Sequence, residues 1–402
     1  MRLGGNAMNK LFVCLALLLA AIPLAGQHNT LTPQEVEEGW ILLWDGRTFF
    51  GWEFQGDANW STREGVLRAD SGSGGWLGTS MMFGDYHLKL EFRTAADGNS
   101  GVFLRSARRG NIPPHRSGYE LQIYDNQPQG FNTGSLVGYA KATPAKLIPN
   151  EWNQYDIRVE GSHFVITLNG KVVFDGDNPT HNVGVIGLQY NRDRPVDFRS
   201  IKLRPLGLRP IFNGKDLSGW NKVDRPQRPA EHNWSVRDGM LHVEKGPGGL
   251  ETEAEFNNFV MQLAVRTNPP NPDGHPNSGV FFRGDKGTMS SGYEAQIRNE
   301  FQHGDPKLPV DYGTGAVYNR QPAREIIARD GEFFYKTIAA YGRRISVWVN
   351  GIQVTDWADP RPEGNNARLQ ARLRPGIMSL QAHDPTTNID FKDIRVLELP
   401  QR

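Results

Sequence analysis

The chain repeats itself once, over nearly its whole length. Trp44-Asp-Gly-Arg-Thr-Phe-Phe-Gly-Trp52 returns as Phe212-Asn-Gly-Lys-Asp-Leu-Ser-Gly-Trp220, and Asn59-Trp-Ser-Thr-Arg-Glu-Gly-Val-Leu67 as Asn233-Trp-Ser-Val-Arg-Asp-Gly-Met-Leu241. Asn99-Ser-Gly-Val-Phe-Leu-Arg105 returns as Asn277-Ser-Gly-Val-Phe-Phe-Arg283, and Ser117-Gly-Tyr-Glu-Leu-Gln-Ile-Tyr124 as Ser291-Gly-Tyr-Glu-Ala-Gln-Ile-Arg298. The offset is 168 residues at Trp52/Trp220 and 193 at Phe198/Phe391. A unit this long is a duplicated domain, not a solenoid repeat. At 402 residues, too long for one ordinary core, two domains are the natural division. They are expected at 40–205 and 210–400, joined by the short Arg204-Pro-Leu-Gly-Leu-Arg-Pro210, which would hold them in contact.

Each copy reads as short strands rich in Val, Ile, Phe and Tyr, bounded by Gly and Ser. Phe164-Val-Ile-Thr-Leu-Asn-Gly-Lys-Val-Val-Phe174 and Ile345-Ser-Val-Trp-Val-Asn-Gly-Ile-Gln-Val354 are hairpins turned by Asn-Gly. Helical periodicity is scarce apart from one turn within Leu31–Glu38. The fold class expected is all-β, two tandem jelly-roll sandwiches of antiparallel sheets.

The first 26 residues stand apart. Lys10 precedes the apolar run Leu11–Ile22, then Pro23-Leu-Ala-Gly26, the pattern of a cleavable signal peptide, too short to span a bilayer. The expected protein is secreted or periplasmic, with no membrane span after cleavage. Cys14, the single cysteine, lies in this leader, which excludes disulfides and thiolate chemistry from the rest. The balance of 45 basic and 44 acidic residues argues against a nucleic-acid partner. No phosphate-binding loop, zinc signature or nucleophile elbow is present. No cofactor is expected; a calcium site from the loop carboxylates Asp305 and Asp311 stays open, though their spacing is not specific.

Strand alternation gathers the polar residues. Glu294, Gln296 and Arg298 share one face, opposite Tyr293, Ala295 and Ile297; Ser379, Gln381 and His383 share one face of the run Met378–Asp384. Arg283 has the strand parity of Asn277. The expectation is one groove lined by Asn277, Arg283, Glu294, Gln296, Arg298, Gln381 and His383, matched in the first copy by Arg105, Glu120, Gln122 and Gln189. Glu294 and His383 are candidate acid/base groups and Arg283 a candidate cation; the competing reading of Glu and Arg is an ion pair. Asn191 stands where the second copy has His383. Trp52, Trp60, Trp220 and Trp234 recur at strand starts and read mainly as core.

With Thr314-Gly-Ala-Val-Tyr318, Leu380-Gln-Ala-His383 and Ile389-Asp-Phe-Lys-Asp-Ile-Arg395 added, the ordered set resembles the 3-keto-disaccharide hydrolase family. The resemblance covers both copies. It implies a concanavalin-like jelly roll, export, and a substrate glycoside or disaccharide already oxidised to a ketone at C3. Such a ketone acidifies the C2 proton; its removal gives an enolate that expels the C1 substituent, and water then adds. Glu294 or His383 would be the base, Arg283 would stabilise the enolate, and Tyr318 would help bind the substrate. A non-catalytic carbohydrate-binding module and a two-carboxylate glycoside hydrolase are the alternatives.

Overall fold

The computed structural model describes residue 1 and residues 28–108, 114–225, 232–271, 274–365 and 369–402, so the leader lies outside the described residues. What it describes is antiparallel sheet with two helical turns, Pro33–Glu37 and Pro114–Ser117. Thr32 caps the first: its hydroxyl accepts from Glu35 N–H while the Glu35 carboxylate accepts from Thr32 N–H.

The strands follow from the period-two pattern. In Tyr86–Thr94 every second residue (Tyr86, Leu88, Leu90, Phe92, Thr94) is buried and those between are partly exposed. Fully burying each large apolar side chain is worth roughly 1.5–3 kcal/mol. The Asn-Gly hairpins close as expected, with Asn169 and Asn350 at φ 49° and 47° and the following glycines also at positive φ.

In the first copy one sheet curls round to make both layers. Its outward-facing layer runs Trp52–Arg63, Val66–Thr79, Val185–Tyr190, Ser100–Ser106, Tyr119–Ile123; the other runs Val196–Pro205, Tyr86–Thr94, Asn153–Glu160, His163–Leu168, Lys171–Asp177. Val66–Thr79 belongs to both, pairing with Val196–Pro205 through its first residues and with Val185–Tyr190 through its last. In the second copy that strand is split into Met240–Glu244 and Gly248–Phe256, so the layers separate into an eight-stranded and a five-stranded sheet. The five-stranded sheet runs Trp220–Val223, Gly248–Phe256, Gly376–Ala382, Ser278–Gly284, Tyr293–Ile297. Among the described residues no strand of one copy enters a sheet of the other.

The copies pack through an apolar seam. Trp348, Val260, Ala339 and Leu399 of the second join the hydrophobic core of the first. The Trp348 indole N–H donates to Leu42 O at 3.0 Å, Leu42 N–H donates to Gly351 O at 2.8 Å, and Arg324 pairs with Asp45 at 2.7 Å.

Candidate functional site

Cross-strand register fixes what faces outward from the five-stranded layer of each copy. In the second copy one row holds Asn221, Glu251, Ser379, Phe281 and Glu294, and the next Val223, Gly249, Gln381, Gly279 and Gln296. The corresponding rows of the first copy are Glu53, Gly78, Gly187, Phe103 and Glu120, then Gln55, Trp76, Gln189, Gly101 and Gln122. Glu, Gln, Gln, Phe and Gly therefore recur at matching points of both faces.

Glu294 leans over Gly279, where an added Cβ would stand 2.2 Å from its Oε1. A side chain there would have to push the carboxylate aside. The loop after the Glu294 strand then folds back along it: Tyr318 N–H donates to Glu294 O at 2.9 Å and Val317 bridges Ala295. Two consecutive left-handed residues, Asp311 (φ 50°) and Tyr312 (φ 69°), turn the loop inward. This brings Asp311 Oδ2 within 2.9 Å of both Asn277 Nδ2 and Gln296 Nε2, each donating to it. Glu294, Tyr318 and Arg320 line one cleft with Phe281, Ser290, Gly292, Tyr293 and Asn319, about 460 Å³ including its open mouth. Burial, then the carboxylates of Asp311 and Glu294, raise the Tyr318 phenol above its ordinary range. Burial and the nearby Arg361 lower the Arg320 guanidinium.

Beneath this strand lies a buried cation. Lys336 reaches from the opposite sheet and its Nζ donates to Ala295 O and Gln296 O, both at 2.9 Å. Burial pulls its amine down to about 7, with the Glu294 charge opposing. Tyr155 does the same work in the first copy, its hydroxyl donating to Gln122 O at 2.6 Å.

The expected groove is thus only partly assembled as the sequence suggests. Asn277, Glu294, Gln296 and Tyr318 come together. Arg283 does not join them, and this corrects the expectation of a groove cation. Its strand carries a β-bulge: Phe281 pairs with Ser379 but Gly284 pairs with Ile377, so Phe282 and Arg283 share the single partner position Met378. The extra residue, at φ 52°, turns Arg283 to the other face. It is 1% exposed and its guanidinium donates to Asn257 O, Gly342 O and Arg372 O at 2.9, 2.7 and 3.1 Å. Arg105 repeats the arrangement, at φ 50°, on Gly84 O, Gly161 O, His181 O and Asp85, and so is likewise a buried clamp, not a binding residue.

His383 lies just beyond the strand Gly376–Ala382, exposed, with its Nδ1 2.7 Å from Asp384 Oδ2. It stands two strands across and four residues along from Glu294. At ~4.8 Å per strand and ~3.3 Å per residue the Cα atoms are about 16 Å apart. That spacing corrects the expectation that Glu294 and His383 work as acid/base groups side by side in one groove. Arg298 is held by Glu300 and His275 O at the rim. Gln381 is buried, with no hydrogen-bond partner at Oε1. In the first copy Gln189 Nε2 donates to Glu120 Oε1 at 3.1 Å, and burial raises the Glu120 carboxyl to about 7. Gln122 there is buried, its Oε1 accepting from Ile123 N–H. Sequence reasoning offered Asp311 only as a loop carboxylate for calcium and passed over Arg320, because both sit in a loop with no strand parity to read. The absence of matching residues at Gly130 and Tyr139 of the first copy was their one visible signal. Among the described residues no group of three or more His, Asp or Glu side chains is placed to hold a metal ion.

Antiparallel sheet layers packed face to face, with almost no helix, make each copy an all-β, concanavalin-like jelly-roll sandwich. The chain belongs to the family of the 3-keto-alpha-glucoside-1,2-lyase-like domain, whose model matches residues 39–204 and again 207–397. It is 28% identical over 166 residues to a 3-keto-disaccharide hydrolase of Bacteroides thetaiotaomicron, a match spanning 34% of this chain and 57% of that protein. Among solved structures it resembles two candidate glycosyl hydrolases from Parabacteroides distasonis. One is 20% identical with TM-score 0.40, covering 45% of this chain and all of that one; the other is 26% identical with TM-score 0.36, covering 49% and 85%. No helix among the described residues is long and apolar enough to cross a membrane.

Proposed function

We propose that the protein is a carbohydrate-active enzyme whose second copy cleaves glycosides bearing a ketone at C3, by elimination followed by hydration. The supporting observation is the cleft that gathers a carboxylate, a phenol and a guanidinium: Glu294, Tyr318 and Arg320. Glu294 takes the C2 proton. The electron pair of the C2–H bond moves toward the C3 oxygen, and the developing enolate is met by Arg320. Collapse of the enolate breaks the C1–O bond and forms the C1–C2 double bond. The leaving oxygen takes a proton from Tyr318, whose phenol is pushed above its ordinary range by burial and by the two carboxylates beside it. Water then adds across the double bond, giving the free 3-keto sugar. Asn277 and Gln296 act through Asp311, fixing its carboxylate against the phenol.

The first copy keeps the carboxylate as Glu120 but has Gly130, Val137 and Tyr139 where the second has Asp311, Tyr318 and Arg320, and the Tyr139 hydroxyl is bonded to His181, which supports a non-catalytic role for it. The export expected from the leader would put the enzyme outside the cytoplasm. A second reading, a two-carboxylate glycosidase, draws on one observation: Asp311 and Glu294 both act on Tyr318. Such an enzyme needs its two carboxyl groups about 5–10 Å apart and an unoxidised substrate. The test is incubation with a 3-keto-disaccharide and with its unoxidised parent in deuterated water. Elimination predicts turnover of the keto sugar alone, with deuterium at C2 of the product. Turnover of the parent, or product without deuterium, would overturn it.

A further inference from the structure

From the outward face of the first copy we infer a separate, non-catalytic saccharide-binding site, with the Trp76 indole as the platform for one unoxidised pyranose ring. The two faces match at Glu, Gln, Gln, Phe and Gly and diverge at the other five points, three of which adjoin one another. Where the second copy has Gly249, Glu251 and Ser379, the first has Trp76, Gly78 and Gly187. The exchange is concerted. A Cβ at Gly78 would stand 2.3 Å from Trp76 Cζ3, and one at Gly187 2.7 Å from Trp76 Cε3. The six-membered ring therefore lies down over two glycines on neighbouring strands, a posture that any other pair of residues would block. Phe103 meets it edge-on, with centroids 5.7 Å apart and planes at 83°, and fixes its tilt.

Trp76 is partly exposed, unlike the buried Trp44, Trp52 and Trp60. A partly exposed indole laid on a sheet, rather than packed into the core, presents a flat apolar surface beside polar groups. Those groups are Gln189, directly beside Trp76 in register, and the Glu120 carboxyl it bonds, 93% buried. Gln189 Oε1 has no hydrogen-bond partner among the described residues. An apolar plate edged by an amide and a carboxyl suits a gluco-configured pyranose. Its C–H face is uninterrupted and its hydroxyls all project from the ring edge, where one can donate to a carbonyl oxygen and accept from an amide. No proton donor–acceptor constellation like that of the second copy accompanies it, so the site binds without cleaving.

The test uses the full chain with cellobiose and with maltose, followed by titration calorimetry and tryptophan fluorescence. Both sugars are unoxidised, so the result is independent of whether the second copy turns over keto sugars. The wild type should bind at least one of them, and Trp76→Ala should weaken that binding about tenfold or more, as for removal of a central aromatic anchor. Trp76→Phe, which keeps a ring in place and so guards against misfolding, should abolish the sugar-induced fluorescence change. Binding unaltered in Trp76→Ala, a fluorescence change that persists in Trp76→Phe, or no binding of either sugar at millimolar concentration would overturn the proposal.

Discussion

Arg283→Met separates two roles that a buried arginine next to a cleft is easily given. The guanidinium satisfies three backbone carbonyls and is 1% exposed, and burial pulls it down to about 10, still protonated at neutral pH. Methionine fills much of the volume but donates nothing, leaving Asn257 O, Gly342 O and Arg372 O short of a partner. Each buried carbonyl left unmatched costs about 1–3 kcal/mol, so the loss is about 3 kcal/mol or more in all. For a domain of this size about 1 kcal/mol moves the melting temperature by roughly 2–4 °C, so a fall of about 10 °C is expected. Calorimetry or thermal circular dichroism measures it. Turnover of a 3-keto-disaccharide per folded molecule should stay within a few-fold of the wild type. Arg320→Ala, by contrast, should leave melting nearly unchanged and lower kcat by about 10² or more, as removal of an oxyanion-stabilising donor does. If Arg283→Met melts like the wild type but has lost turnover, the β-bulge argument is wrong and Arg283 belongs to the site.

Three further outcomes are expected. Glu294→Gln should lower kcat by about 10²–10⁴ with the fold intact, while Glu120→Gln should change kcat far less; steady-state kinetics on both settles which copy is active. Gly279→Ala should displace the Glu294 carboxylate, since its Cβ would stand 2.2 Å from Oε1, and reduce kcat by up to about 10² with little change in melting; full activity would show that the Glu294 position is not critical. Glu120 is raised to about 7 by burial, so the native state holds a proton that the unfolded state has lost above its ordinary 4.5. Its contribution is therefore present below about pH 4.5 and lost as pH rises to about 7, amounting to roughly 3 kcal/mol at about 1.4 kcal/mol per pH unit. Glu120→Gln should flatten the stability profile between those limits and raise stability above pH 7; denaturant titrations at several pH values that show the same slope in both proteins would refute the assignment.

The duplication, the strands and the Asn-Gly hairpins were all legible from sequence, because period-two burial and turn chemistry are local. Glu294, Gln296 and Gln381 fell on one face for the same reason. Arg283 and Arg105 were misread because a bulge adds one residue between partners and reverses parity after it, and nothing in Val-Phe-Phe-Arg announces the insertion. Asp311 and Arg320 depend on a loop whose path is set by two left-handed residues and by a hydrogen bond to Glu294 O. His383 had the right parity but the wrong distance, since alternation specifies a face and not a place on it. Trp76 was invisible for a different reason. Its meaning rests on glycines at 78 and 187, and 187 becomes its neighbour only through strand pairing across more than a hundred residues.

The seam around Trp348 joins unlike surfaces. The second copy offers its hairpin Arg344–Val349 and Ile352–Ala358; the first offers its N-terminal strand and the turns near Asp45 and Ser80. A head-to-tail contact of this kind does not close on itself, and in principle it can recruit copy after copy into a filament. The equivalent hairpin of the first copy, His163–Leu168 and Lys171–Asp177, is there to be used, with Val172 half exposed. It carries Thr167 where the second copy has Trp348, and His163 where the second has Arg344. That hairpin therefore lacks the indole that fills the neighbouring core at the seam.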